Sequence, residues 1–152
     1  KSISSGIYYQ KCQPIIMNGV NGFTAGAWDL LHAGHVHFLS KCKKRCDVLI
    51  VGLHTNPQID RPHKNKPVQS VYERYSQLIG LKAVDSVIPY DTEQDLINLL
   101  ACENIAVRFL GSEYRGKIFT GTSVCNIRGI GIEYIERLHT YSSTELRNRI
   151  ER

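Results

Sequence analysis

Along the chain, short continuous apolar runs alternate with stripes of apolar residues spaced three and four apart. Phe23-Thr24-Ala25 reads as a short buried strand. Val36, Leu39, Cys42 and Cys46 follow it on one helical face, in a helix opened by His35. Asp47 ends that helix, and Val48 to Leu53 is a run suited to a central parallel strand covered on both faces. Ser70 and Glu73 form a capping box opening a helix that turns Val71, Tyr75, Leu78 and Leu81 inward. Ser86 to Pro89 predicts a third strand, and Thr92 with Asp95 caps a helix carrying Leu96, Leu99 and Leu100. Ala106 to Gly111 and Ile132 to Ile135 predict the fourth and fifth strands. Ser142 and Glu145 form a second capping box, opening a terminal helix toward Ile150. Strands and helices alternating at this spacing imply an α/β fold with a doubly wound, mostly parallel five-stranded sheet in a single domain.

Residues 1–17 show no such period and are expected to be an extended or partly disordered arm, with the domain proper at 18–152. A long polar connection, His54 to Gln69, holds three prolines and the basic residues Arg61, His63, Lys64 and Lys66. Connections of that length inside a small domain are usually functional, so it is read as an active-site loop.

Composition narrows the picture only a little. A chain of 152 residues with 42% apolar and 22% charged positions fits one ordinary globular domain. No apolar run approaches the ~20 residues of a membrane span, and the start shows no secretory pattern, so no membrane insertion and a cytoplasmic location are expected. The net charge of +5 suits phosphate ligands, but the basic residues are dispersed and no nucleic-acid partner is expected. Five cysteines without paired spacing argue against a disulfide framework. Cys42 and Cys46 are read as small hydrophobes of a buried helix face, not as metal ligands beside His32 or His37.

Candidate chemistry concentrates between Gly22 and His35, where the first strand runs through a glycine-bearing turn into His32-Ala33-Gly34-His35. The first N–H groups of a helix lack partners and sit at the positive end of its dipole, so an anion is welcome there. Gly34 allows close approach, and His32 and His35 are spaced to address the same oxygen atoms.

The stretch Gly26-Ala-Trp-Asp-Leu-Leu-His32-Ala-Gly34-His35 resembles the signature of the nucleotidyltransferase superfamily, in its cytidylyltransferase branch, which includes glycerol-3-phosphate and choline-phosphate cytidylyltransferases. Further segments are similar in the same order. Lys64 through Glu73-Arg74 resembles the family's lysine loop and Glu-Arg pair, and Lys82-Ala-Val-Asp-Ser-Val87 its Arg-Tyr-Val-Asp-Glu-Val segment. Gly111-Ser-Glu-Tyr114 resembles its Gly-Asp-Asp-Trp, and Arg137 to Thr144 its Arg-Thr-Glu-Gly-Ile-Ser-Thr-Thr.

The resemblance implies a Rossmann-like fold and transfer of CMP from CTP to a small phosphorylated alcohol, with glycerol 3-phosphate preferred and pyrophosphate released. It implies that His32 and His35 hold the triphosphate, and that Lys64 or Lys66 bridges donor and acceptor phosphates; counting back from Arg74 favours Lys64, whereas the Lys-Pro pair favours Lys66. Arg137, Ser142, Ser143 and Thr144 are implied for the β- and γ-phosphates, and Gly26, Ala27, Trp28, Asp29, Gly34 and Gly111 for the nucleotide pocket. Arg74, Glu113 and Tyr114 are implied for substrate. Mg2+ is expected with the triphosphate, without protein ligands, and a homodimer is expected with contacts near the histidine motif and Val84-Asp85. His37 is expected to point away and be structural.

The chain departs from the family at Ala27, where threonine is common, and at Asn56, Ser112 and Leu138-His139. These departures leave base and acceptor open. The alternatives are an adenylyltransferase, a sugar-phosphate nucleotidyltransferase, or a nucleotide-binding regulatory module without turnover.

Overall fold

The run from Val48 to Leu53 is the middle of strand β2 (Val48–His54), all seven residues of which are buried. Leu49, Val51 and Leu53 enter one hydrophobic cluster, whereas Val48 and Ile50 enter another, as the two-residue period of a strand requires. In the computed structural model, which describes residues 19–152, β2 pairs with β1 (Asn21–Gly26) and β3 (Ser86–Tyr90). On the other side of β1 lie β4 (Val107–Gly111) and then β5 (Gly131–Ile135). All pairings are parallel, in the order β3-β2-β1-β4-β5. The arm expected at 1–17 lies outside the described residues, as does Cys12.

Helices cover both faces. The first cluster takes Leu39 and Cys42 of α1 (Ala33–Lys43) and Tyr75 and Leu78 of α2 (Val71–Ile79). The second takes Leu96, Leu99 and Leu100 of α3 (Glu93–Cys102) and Cys125 of α4 (Thr122–Arg128). Each such leucine gains roughly 1.5–3 kcal/mol over an exposed one. The helix α5 (Ser143–Ile150) follows β5. The chain winds outward from β1 to β3 and then returns to β4, so a crevice opens at the carboxyl ends of β1 and β4.

Several boundaries differ from the sequence reading. Helix α1 starts at Ala33, because His32 is itself its N-cap. Cys46 lies past the helix end, with its Sγ donating to the Cys42 carbonyl at 3.4 Å. Helix α4 was not anticipated: its ends are Gly121 and Gly129, both left-handed (φ +88° and +69°), and no side chain caps it. At α5 only half of the expected box forms. Ser142 Oγ accepts the Glu145 N–H at 3.0 Å, while the Glu145 carboxylate pairs with Arg149 at 2.9 Å. Val84, expected at a dimer contact, is fully buried in the first cluster. Asp85 beside it accepts the Leu49 N–H at 2.8 Å and binds Lys43 at 2.5 Å, so this pair serves the chain's own fold. Among the described residues no helix is long and apolar enough to cross a membrane.

Candidate active site

A cavity of about 450 Å³ occupies the crevice, with two chemically distinct walls. The first is made by the openings of α1 and α5. His32 Nδ1 accepts the Gly34 N–H at 3.0 Å, and His35 Nδ1 accepts the His32 N–H at 3.3 Å, a reciprocal capping box built from imidazoles. Two accepting Nδ1 atoms place the ring protons on Nε2, so both rings are neutral donors. The rings stack at 3.8 Å between centroids and both line the cavity. Burial, then the neighbouring His32 and Arg137 charges, pushes the His35 pKa down to about 3. Burial also lowers His32, helped by His139 and Arg137.

Behind the histidines the backbone is strained. Trp28 and Leu30 hold φ of +54° and +51°, uncommon for large side chains. Trp28 is kept there by its indole N–H, which donates to the Gly52 carbonyl at 3.0 Å, and by edge contact with the His35 ring at 5.4 Å. Gly34 has a steric reason: a Cβ there would stand 2.7 Å from His139 Cε1 and 2.8 Å from His32 Cε1.

The second wall joins the 55–69 loop, α3, β4 and the segment before α4. Arg61 Nη2 binds Glu93 at 2.5 Å, and Thr120 Oγ donates to the same carboxylate at 2.8 Å. Arg108 Nη1 donates to the Thr120 carbonyl at 2.5 Å, with the guanidinium over Phe119. His54 is lowered chiefly by burial and stacks on Tyr90.

Of the residues expected from sequence, His32, His35, Gly26, Ala27, Trp28, Gly34, Gly111, Glu113, Tyr114, Arg137, Ser142 and Ser143 all line this cavity. Within that group, Ser142 is occupied as the α5 cap and Ser143 Oγ donates to the Asp29 carbonyl at 3.0 Å. Thr144, Lys64 and Lys66 are exposed and off the lining; the loop side chain that reaches it is Arg61. Arg74 is a correction. It is 2% exposed and donates to the carbonyls of Gln69, Ala27, His54 and Thr55, so its guanidinium clamps the ends of β1 and β2 and is closed to substrate. Asp29 is also engaged, accepting the Val68 and Gln69 N–H groups and pairing with Arg147 at 2.8 Å. It ties the loop and α5 to the site and is not among the residues that line the cavity. His37 does not turn away: it lines the cavity and lies 6.0 Å from the His139 ring.

Arg61, Glu93, Arg108, His139 and Arg147 went unassigned from sequence. Arg108 did carry a signal, as a charge inside the otherwise apolar run Val107 to Leu110.

Residues 23–149 match the family described as cytidylyltransferase-like. The bifunctional protein HldE of Granulibacter bethesdensis is 33% identical over 132 residues, 85% of this chain and 27% of that protein. HldE of a Caulobacter species is 40% identical over 104 residues, 68% of this chain and 21% of the relative. The chain spans about a quarter of the length of these curated relatives. A solved lipopolysaccharide core biosynthesis protein from Thermoplasma volcanium superposes with a TM-score of 0.63 at 25% identity, over 82% of this chain and 100% of that one. A pantoate-beta-alanine ligase from Francisella tularensis shares the fold, with a TM-score of 0.52 at 15% identity over 90% of this chain and 71% of its own. With most of its length inside the family match, and the histidine-capped helix at its cavity, the chain belongs to the cytidylyltransferase-like family of nucleotidyltransferases.

Proposed function

We propose that this protein transfers a nucleotidyl group from a nucleoside triphosphate to the phosphate of a phosphorylated sugar or polyol. The observation that carries the reading is the pair of stacked imidazoles at one helix start, each anchored through Nδ1 and lining the cavity. A phosphate oxygen of the acceptor attacks the α-phosphorus in line. The new O–P bond forms as the bond to the β-bridging oxygen breaks, and its electron pair departs with pyrophosphate. No protein nucleophile enters, so the protein positions the two anions and stabilises charge on the five-coordinate phosphorus.

The two Nε2–H groups donate to triphosphate oxygens, each contact supplying roughly 3–4 kcal/mol of barrier lowering by analogy with oxyanion donors. Their lowered pKa values keep them neutral donors that need not lose a proton to preserve the cap. Arg137 and the free N–H groups opening α5 take the β- and γ-phosphates. Mg2+ accompanies the triphosphate. The described residues hold no cluster of three carboxylate, histidine or cysteine side chains fit to cage an ion, so no step is assigned to it.

The similar protein from Thermoplasma volcanium is a lipopolysaccharide core biosynthesis protein, and such a core is a saccharide, which favours a sugar phosphate as acceptor. The match from Gly26 to His35 supports CTP with glycerol 3-phosphate as the second reading. The grip described addresses phosphates and no base, so ATP competes with CTP as donor. A pyrophosphate-release assay crossing ATP and CTP with glycerol 3-phosphate and a set of aldose 1-phosphates decides among these. Release with an aldose 1-phosphate supports the first reading. Release with none of the pairs overturns both.

A further inference from the structure

The wall opposite the histidines carries cationic capacity that its own packing leaves unfilled. Arg108 is 4% exposed, and its Nε is buried without a hydrogen-bond partner among the described residues. An unpaired donor on a buried charge is unfavourable, and this one belongs to a side chain that lines the cavity, where water, an ion or a ligand group can offset the cost. Arg108 is also held still. Gly121 stands against it, so that a Cβ there would lie 2.9 Å from Nη1, and Phe119 lies under the guanidinium at 5.2 Å.

Thr120 links this arginine to a second charge pair, taking Nη1 of Arg108 on its carbonyl and giving its hydroxyl to Glu93. Glu93 in turn binds Arg61, whose side chain is 43% exposed on the loop. Arg61 is thus paired directly with the carboxylate, while Arg108 reaches it only through Thr120 and has no ion pair of its own among the described residues, beside an acceptor of hydroxyl hydrogens. Guanidinium forks suit phosphate oxygens, whereas a carboxylate suits neighbouring alcohols. An in-line displacement also places the attacking oxygen across the α-phosphorus from the leaving pyrophosphate. With the triphosphate on the histidine wall, the attacker belongs on this one.

We propose that Arg61, Glu93, Thr120 and Arg108 form the acceptor subsite, with the arginines on the acceptor's phosphate and Glu93 on hydroxyls of a phosphorylated polyol or sugar. The proposal rests on the nucleotidyl-transfer reading above and assigns the half of the cavity that reading leaves open. Arg61 supplies the adaptable contact from the loop, and Arg108 the fixed one from the sheet.

The test uses the intact chain, with glucose 1-phosphate and glycerol 3-phosphate as acceptor probes and the α,β-methylene analogues of ATP and CTP as donor probes. Arg61→Gln raises the acceptor KM, or the directly titrated Kd, by roughly ten- to hundredfold, the loss of one charge-assisted hydrogen bond. Donor-analogue affinity stays within about twofold, and Arg61→Lys restores part of the acceptor binding. Glu93→Gln weakens glucose 1-phosphate more than inorganic phosphate. Equal acceptor affinity in wild type and Arg61→Gln, or a parallel loss of donor affinity, overturns the subsite. A wild type that binds neither donor analogue overturns the nucleotidyl-transfer reading instead, and the glucose 1-phosphate titration then judges the subsite alone.

Discussion

On the histidine wall each functional ring is held by backbone within three residues of it, His32 by Gly34 and His35 by His32. On the arginine wall Arg61 is held by Glu93, 32 residues away, and Glu93 by Thr120, 27 residues away. The imidazole pair of the first wall forms as soon as α1 forms, and its rings are pre-oriented whether or not a ligand is present. The second exists only once the loop, α3 and the segment before α4 have come together, and its partly exposed ion pair is worth little by itself. The difference suits a reaction in which one anion must be gripped in a fixed geometry while the other is admitted and released.

The two walls share one support, and the largest effect should come from removing it. Arg74→Met strands the carbonyls of Gln69, Ala27, His54 and Thr55, and at 1–3 kcal/mol for each buried group left unpaired the expected loss is roughly 3–5 kcal/mol after partial relaxation. Denaturant unfolding reads it, and a loss under about 1 kcal/mol shows that neither wall depends on this clamp.

His32→Asn separates chemistry from capping, because asparagine is itself a good N-cap. Turnover should fall by about 10²–10³, while stability changes by no more than a few tenths of a kcal/mol. Equal losses of stability and rate would mean that the ring only caps.

Acid should act on the histidine wall through His35, in addition to His54, whose pKa burial also lowers on the other wall. The His35 pKa falls from 6.5 to about 3 on folding, so between those values the unfolded chain binds a proton that the native state refuses. Its contribution is fully present above pH 6.5 and is lost as the pH drops toward 3, at most about 1.4 kcal/mol per unit. Unfolding curves from neutral to mildly acidic pH should show this slope, flattened in His35→Gln.

The smallest effect belongs to the arginine wall. Arg61→Gln should change stability by only about 0.2–1 kcal/mol, and less in high salt, as thermal unfolding at two ionic strengths will show. A larger, salt-independent loss would make this wall as rigid as the other.

Sequence reading located the strands and the histidine motif because their signals act over a few residues. Arg61 is legible only as one basic residue of the expected active-site loop, with Lys64 and Lys66 the individual expectations, since a loop's composition does not say which side chain turns inward. Here Asp60 accepts the Glu93 N–H at 2.6 Å and Arg61 binds the Glu93 carboxylate, which fixes the loop over the cavity at those two residues. Arg74 was legible in part: it lies on the stripe of Val71, Tyr75 and Leu78, an inward position where a cation needs internal acceptors. Helix α4 offered no signal, because glycines with positive φ mark its ends without a capping side chain.

The amino-acid order alone determined the alternation of strand and helix, the place of the phosphate-handling turn, and the pairing of two imidazoles with a glycine at a helix start. Hydrophobic period and capping are properties of neighbouring residues and need no partner from elsewhere. Only the tertiary structure decided which arginine is closed to ligand and which is open to it. Arg74 and Arg108 are both buried cations, but the carbonyls that surround the first, and the place on the cavity wall of the second with its Nε unpaired among the described residues, come from strands and loops brought together by the winding of the sheet.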